Sequence, residues 1–526
     1  MGRPIHLLPL STKEINCVSY TPFRGTQTPF DPNFIVPITQ IENDFHLLSS
    51  YTKCVRIYAT DQGLDQILPV AQKYNIKILL GIWIGREDKA NQKQITHALT
   101  LTKNYPTSIK AIIVGNEVIL RGELSPQKLN DFILQVKKST TLPVTYADVW
   151  EFWLHYPELV KYVDFITIHI LPYWEDKPIS VQHSLQHIDA ILNKMHEVFP
   201  NHKIFIGETG WPSFGRIRQQ AIPSPINQSL YLRQFLEAAD QRKWDYNLIE
   251  AFDQPWKRTL EGTVGGYWGL FTEDRLPRFT FSEPISNYNK WQNYFFASFI
   301  ISGILLFIFL NKILTLTSHK TSHFIRYSLY IMGIIQCLGI SLVFQYHDLL
   351  IRSWTLGQTS LYIVYFILNI ILAISLIKIT FGPACFSYDM LLFLKKDKRK
   401  KSIIISYDTI FQIAHFAVCL LFIINTLLLV FDPRYRDFPL SSFWFSGLIS
   451  FLYPLLEHSE KKYSLAPRQK SALFILVLIL CPFIIFQEKF INHETWQWFI
   501  IGLILFSDKI RYTQFFDRAL NKFQKR

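Results

Sequence analysis

Two glutamates sit where side chains could do chemistry. Glu117 closes the run IIVGNEV, and Glu208 closes the run KIFIGETGWPS. Each ends a short stretch rich in β-branched residues, of the kind that forms a buried strand. Two carboxyls that face one another suit the cleavage or transfer of a glycosidic bond. One protonates the leaving oxygen, and the other attacks the anomeric carbon or activates water. A reaction that retains configuration would require the two carboxyls about 5–5.5 Å apart.

Such a pair needs elements that aim it, and the first half of the chain supplies them. Eight apolar runs read as strands: Ile15–Tyr20, Cys54–Tyr58, Ile76–Trp83, Ala111–Glu117, Pro143–Ala147, Phe165–His169, Ile204–Glu208 and Asn247–Phe252. Stretches of helical period lie between most of them, such as Ile38–Tyr51, Gln62–Tyr74 and Pro126–Lys138. Apolar strands joined by helices imply a parallel sheet buried on both faces. Eight repeats predict an α/β fold, a (β/α)8 TIM barrel. An open doubly wound sheet competes, but no glycine-rich phosphate loop follows the first strand. In a barrel, strands four and seven lie nearly opposite, so Glu117 and Glu208 converge across the mouth. The C-terminal strand ends carry chemistry in such barrels. Here they hold Tyr20, Arg56, Tyr58, Trp83, Asn116, Tyr146, Asp148, His169, Tyr173, Trp211, Asp253 and Gln254, more polar and aromatic groups than a purely structural rim needs.

The second half follows different physics. Residues 1–284 read as the catalytic domain and 285–526 as an all-α polytopic transmembrane bundle. Seven apolar segments follow Trp291: Tyr294–Leu310, Ile325–Phe344, Leu361–Phe381, Ile410–Phe431, Phe443–Leu456, Leu473–Phe486 and Trp496–Phe506. Several approach the ~20 residues that cross a bilayer, the last three being shorter. Trp291, Tyr294, Trp496 and Trp498 suit the headgroup level. The net charge of +13 is uneven, with 30 Lys and Arg against 29 Asp and Glu up to Lys290, and 24 against 12 beyond it. The excess sits between apolar runs, as in Lys395–Lys401, Lys461–Lys470 and the tail from Lys509. That reads as cytoplasmic topology signal and not as a nucleic-acid surface. Seven spans then put the tail inside the inner membrane and the first domain outside, although MGRPIHLLPLSTKEIN lacks the apolar core of a signal peptide. No cysteine spacing suggests a metal site. Cys17 and Cys54 read as buried free thiols, with a disulfide as the alternative. In span four or just before it, Asp408, Gln412 and His415 share a helical face near Asn425, either as a polar path or as helix–helix hydrogen bonds.

The pair Asn116-Glu117 on strand four and Glu208 on strand seven resembles the acid/base and nucleophile of the large clan of retaining barrel glycosidases. The run ETGWPS from Glu208 to Ser213 resembles glycoside hydrolase family 17, the β-1,3-glucanases. The stretches EAFDQPWK from Glu250 and EGTVGGYWGLF from Glu261 resemble that family's bacterial branch. Members of that branch are fused to membrane spans and act beside β-glucan synthases, some trimming β-1,3-glucan and some transferring it. The resemblance covers Ile15 to Phe279. It implies that Glu117 is the acid/base, that Glu208 is the nucleophile, and that Asn116 binds the sugar 2-hydroxyl. An acid at Glu117 must hold its proton near neutral pH, so its site should be desolvated or close to another carboxylate. Arg56 would keep Glu208 ionised, and Tyr173 would hydrogen-bond it. Trp83, Trp174, Trp211 and Trp256 would stack on sugars or pack loops. Tyr20, Tyr58, Asp148, His169, Glu175, Asp253, Gln254, Lys257 and Glu261 complete the candidate substrate contacts, although His169 also fits a satisfied rim histidine and Lys257 with Glu261 a simple ion pair. The implied partners are a β-glucan, the lipid bilayer and a membrane glucan synthase, with no cofactor and no metal. The competing functions are a glycan sensor without catalysis and a transport component.

Overall fold

The computed structural model describes residues 2–11, 14–315, 321–380, 385–388, 403–453 and 467–506. The chain divides into two compact units, Gly2–Asn289 and Lys290–Arg526.

In the first unit, eight parallel strands close into a barrel in chain order. They are β1 (Cys17–Ser19), β2 (Cys54–Ile57), β3 (Lys77–Ile82), β4 (Ile109–Asn116), β5 (Val144–Val149), β6 (Ile166–His169), β7 (Ile204–Thr209) and β8 (Asp245–Leu248). Side chains alternate across each strand. Leu79, Ala111, Ile113, Ala147 and Phe205 therefore form a small inner cluster with the two barrel cysteines, while Ile78, Leu80 and Ile112 join the large core under the helices. The helices begin where the sequence offers caps. Ser125 and Ser224 accept backbone N–H bonds ahead of the helices Pro126–Lys137 and Pro225–Arg242, and each has proline at the first helical position.

Two expectations need correction. Strand eight lies at Asp245–Leu248, earlier than Asn247–Phe252. The chain beyond Leu248 bonds across to β1 and to the segment that follows, with Ala251 N donating to Ser19 O and Asp253 N to Phe271 O. Asp253 and Gln254 are therefore loop residues. Cys17 and Cys54 are joined as a disulfide, not free. The β1–β2 register pairs Val18 with Val55, which sets the cysteines opposite one another with Cα atoms 4.5 Å apart.

The second unit contains seven helices among the described residues: α1 (Trp291–Thr315), α2 (Thr321–Arg352), α3 (Leu356–Thr380), α4 (Tyr407–Phe431), α5 (Leu440–Leu452), α6 (Pro467–Gln487) and α7 (His493–Leu505). A short hairpin pairs Cys385–Tyr388 with Ile403–Ser406. Four helices are long and apolar enough to cross a membrane, within Trp291–Leu310, Ser328–Arg352, Leu356–Thr380 and Thr409–Phe431. Trp498 does not sit at a headgroup surface: it is fully buried, stacks on Phe422 and donates to Thr426 Oγ1. Trp291 and Trp496 are exposed. Asn425 donates to Tyr365 on α3, which is helix–helix bonding. The basic run Lys395–Lys401, Lys461, Lys462 and the tail from Lys509 lie outside the described residues, as does the Asp408 side chain.

The disulfide spans a sequence separation of 37. Closing a loop of that size restrains the unfolded chain by about 2–4 kcal/mol. Cys54→Ser should lower barrel stability by about that amount in denaturant titrations. An unchanged midpoint would show that packing alone holds β1 to β2.

Candidate active site

Four strands deliver one buried network at the C-terminal mouth of the barrel. Strand β2 brings Arg56 and, just past its end, Tyr58. Strand β4 brings Asn116 and then Glu117, β6 brings His169, and β7 brings Glu208. The Glu208 carboxylate is almost enclosed, with 6% of its side chain exposed, whereas Glu117 keeps 23% open to the mouth. Gly207 makes room for this arrangement, because a Cβ there would meet Thr167 at 2.5 Å and the His169 ring at 3.1 Å. Glu117 has φ of 54°, a left-handed conformation that side chains rarely adopt. Its N–H donates to the Ala147 carbonyl at 2.8 Å, which helps to hold it there.

Glu208 Oε1 accepts from the Tyr58 hydroxyl at 2.8 Å and from Arg56 Nη1 at 3.4 Å. The same Arg56 nitrogen donates to the Gly207 carbonyl at 2.7 Å, and Arg56 Nη2 donates to Asn116 Oδ1 at 2.5 Å. His169 stands between the two glutamates. Its Nδ1 is 3.0 Å from Glu117 Oε1, and its Nε2 is 3.7 Å from Glu208 Oε1. One oxygen of each glutamate and a nitrogen of the imidazole all lie within 4.8 Å of one another. By donor chemistry these three groups could ligate a cation. The Arg56 guanidinium already fills that role, since it contacts Glu208 and lies 3.4 Å from His169 Nε2.

Electrostatics set the protonation of the site. Burial pushes the Glu117 carboxyl up, but the hydrogen bond and charge of His169, with Arg121 and Arg56 beyond, bring it below the ordinary glutamate value. The open site therefore does not hold a proton on Glu117 as an acid would require. Burial raises the Tyr58 hydroxyl well above its usual range, and Glu208 adds to that, so Tyr58 stays a donor. Asp148 is wholly buried behind Glu117. It accepts from Tyr146 and from Val149 N, and burial raises it to about 6 despite the Tyr146 bond, with the Glu117 charge adding to the rise. It cannot reach substrate. With Tyr146, whose hydroxyl accepts from Ile119 N at 3.0 Å, it props the turn that follows Glu117.

Several other candidates are turned inward. Tyr20 donates to Asp44 and packs on Phe45 and Phe252. Tyr173 donates to the Arg216 carbonyl, so Tyr58 and not Tyr173 bonds Glu208. Trp211 is 1% exposed and donates to the Ile222 carbonyl. Asp253 is buried against Arg278 and Gly269 N, and Gln254 clasps Thr21 and Trp256. The rim keeps others. Trp83 is 41% exposed, and the Arg121 guanidinium lies 4.4 Å from its ring centroid. Trp174 stacks on Trp268, and Glu175 accepts from Trp150 and pairs with His187. Trp256 is half-buried beside Phe30. Lys257 pairs with Glu250 at 2.7 Å, with Glu261 contributing to its electrostatics. Sequence reasoning missed Glu250 as a site group. It is 1% exposed, and burial lifts it to about 7 against the pull of Lys257, with Glu261 and Glu208 adding to the rise. Its place ahead of Phe252 was the available signal, once strand eight is seen to end at Leu248.

Residues 17–269 match the family model described as the BtgE/BtgC glycoside hydrolase domain. A glucan 1,3-beta-glucosidase of Saccharomyces cerevisiae is 25% identical over 257 residues, covering 44% of this chain and 81% of that protein. Another, of Schizosaccharomyces pombe, is 29% identical over 252 residues, covering 45% and 78%. Among solved structures, a glycoside hydrolase family 17 beta-1,3-glucanosyltransferase of Rhizomucor miehei is 27% identical, with a TM-score of 0.45, over 51% of this chain and 97% of that one.

Asp148 offers a test that needs no substrate. Its folded value of about 6 lies above the ordinary 3.8, so the native state binds the extra proton between those values. Its contribution to stability is full below 3.8 and is lost as pH rises through about 6. Asp148→Asn should remove that loss, which makes the decline in stability from acid to neutral pH shallower than in the native protein. Parallel denaturation curves across that window for both proteins would contradict the burial of an ionisable group there.

Proposed function

We propose that the barrel, whose residues 17–269 match the BtgE/BtgC glycoside hydrolase domain and resemble glucan 1,3-beta-glucosidases, cleaves and re-forms β-1,3-glucosidic bonds with retention. Glu117 is the acid/base and Glu208 the nucleophile. The observation that carries the assignment is the convergence of both carboxyls on one imidazole, with nearest oxygens within 4.8 Å. That spacing suits direct attack by one carboxylate. An inverting pair stands about 6.5–9.5 Å apart to admit a water.

In the first step, Glu208 attacks the anomeric carbon while Glu117 gives its proton to the departing glycosidic oxygen. In the second, Glu117 takes a proton from water or from a sugar hydroxyl, that oxygen attacks the same carbon, and Glu208 is released. Burial is the largest single influence on Glu117 and favours its neutral form. A sugar that covers the open part of Glu117 deepens that burial and loads the acid. Asn116, held by Arg56, faces the same mouth and suits a sugar hydroxyl. The exposed face of Trp83 suits the apolar face of a glucose ring.

We further propose that the second unit anchors the barrel at a membrane. Four apolar helices of spanning length support this. The basic loops favour a cytoplasmic tail and an extracytoplasmic barrel, and the Cys17–Cys54 disulfide suits an oxidising compartment. Such a placement fits remodelling of a cell-envelope or exported glucan beside a membrane synthase.

The protein incubated with linear β-1,3-gluco-oligosaccharides should give shorter products by hydrolysis, or longer, branched or cyclic ones by transfer. Glu117→Gln should lower kcat by about 10²–10⁴-fold, and Glu208→Gln should abolish turnover. No change to any β-glucan by the native protein would sink the proposal.

A further inference from the structure

The site also orders its hydroxyl protons, and the order begins outside it. Tyr58 has one hydroxyl proton and two neighbours able to accept it, Glu208 Oε1 and Ser19 Oγ, each 2.8 Å away. Which of them receives it decides whether Tyr58 supports the nucleophile or only ties β2 to β1. Two fully buried residues on the neighbouring strands settle the choice: Ser19 at the end of β1 and Asn247 in β8.

Asn247 Nδ2 donates to Ser19 Oγ at 2.8 Å and to the Gly207 carbonyl at 2.9 Å. The carbonyl can only accept. If the amide were flipped, two oxygens would face each other with no proton between them. Gly207 therefore fixes the amide with nitrogen toward it, and the second N–H goes to Ser19. Ser19 Oγ then receives one proton and still has its own to give. Its other hydrogen-bond partner is Tyr58 Oη. Tyr58 accepts there, and its own proton is left for Glu208. The order closes on itself, because the carbonyl that fixes Asn247 belongs to the residue before Glu208 and also accepts from Arg56 at 2.7 Å.

We propose that Ser19 and Asn247 are positioning residues that act through Tyr58, committing its hydroxyl to donate to Glu208. The proposal rests on the glycosidase reading above. Neither residue reaches the reacting atoms, and neither carries charge. Their effect is to deny Tyr58 its alternative acceptor and to polarise its hydroxyl toward the nucleophile, since a donor entering Oη strengthens the bond leaving it.

The test uses the full-length protein, laminari-oligosaccharide substrates, and kcat/KM measured against pH. Asn247→Leu leaves the Ser19 hydroxyl without its donor and able to accept the Tyr58 proton, so it should lower kcat/KM by about 3–10-fold. It should also move the acid limb of the profile to higher pH, because a carboxylate with a weaker donor takes its proton sooner. Ser19→Ala removes the competing acceptor itself, so added to Asn247→Leu it should recover part of that loss. Tyr58→Phe should cost at least as much as Asn247→Leu, and adding Asn247→Leu to it should cost nothing more, since the route is already cut. Asn247→Ala takes the place of Asn247→Leu should the latter fold poorly, and it should move the acid limb in the same direction. An unmoved acid limb in the Asn247 variants, no recovery on adding Ser19→Ala, or an Asn247 loss that multiplies with that of Tyr58→Phe, overturns the proposal. Those outcomes leave native turnover intact. A native protein inert on β-glucan, or a Glu208→Gln variant that still turns over, refutes the glycosidase reading itself.

Discussion

A guanidinium that cannot lose its proton sits buried at the centre of the mouth, and the other groups are arranged around it. Arg56 is 1% exposed. Its charge must be met by an opposite charge and its N–H groups by acceptors, because an unpaired buried cation costs several kcal/mol. The barrel meets that demand from two strands, with Asn116 Oδ1 from β4 and the Gly207 carbonyl and Glu208 carboxylate from β7. These strands are not neighbours in the ring, so the side chain crosses the opening that the closed sheet creates. Glu208 is in turn held in place by that guanidinium and by the Tyr58 hydroxyl. Removing Arg56 would leave a buried anion with only Tyr58 and His169 beside it.

The same rule of paired burial shapes the rim. Asp44 is fully enclosed by Arg24, Arg275 and the Tyr20 hydroxyl. Asp253 is held by Arg278, and Glu250 by Lys257. These pairs fasten the loops after β1 and β8, where the chain has left the sheet and has few ladder bonds of its own. Their net contribution to stability is modest, because desolvation offsets most of the attraction. What they supply is a defined wall, because a loop pinned by a buried pair cannot drift without exposing a lone charge. Tyr20 and Asp253 look like substrate contacts in the sequence and serve this wall instead.

The barrel was legible because strands buried on both faces leave unbroken apolar runs, and the place of Glu117 and Glu208 at its mouth because each ends such a run. What was not legible depends on register. The span Asn247–Phe252 is as apolar as a strand, but the ladder begins at Asp245 and ends at Leu248. That shift moves Asp253 and Gln254 off the rim and brings Glu250 toward it. Cys17 and Cys54 show no sequence relation until β1 and β2 are laid side by side. Tyr58 and Tyr173 are equally plausible donors to Glu208 by strand position. Only the packing of the loop after β6, which turns Tyr173 to the Arg216 carbonyl, separates them. In the second unit the apolar segments were legible for the same reason as the strands. Trp498 was not, because hydropathy cannot tell an indole at a headgroup from one stacked inside a bundle.

His169 gives the proposed two-step chemistry its economy. Arg56 Nη1 faces its Nε2, which favours a proton on Nδ1, where it meets Glu117. In the open site that contact holds Glu117 as a carboxylate, and a bound sugar must shift the balance toward the acid. Once Glu208 carries the glycosyl group it has lost its negative charge, and one electrostatic reason for Glu117 to keep a proton is gone. The carboxyl that was an acid in the first step is then inclined to act as the base in the second. Arg56 and Tyr58, built to hold an anion, now face an ester, and they favour its departure as a carboxylate. The network around Glu208 therefore presses the intermediate to break down. On that proposal, whether water or a sugar hydroxyl takes the glycosyl group is decided by which of them occupies the acceptor side of the mouth.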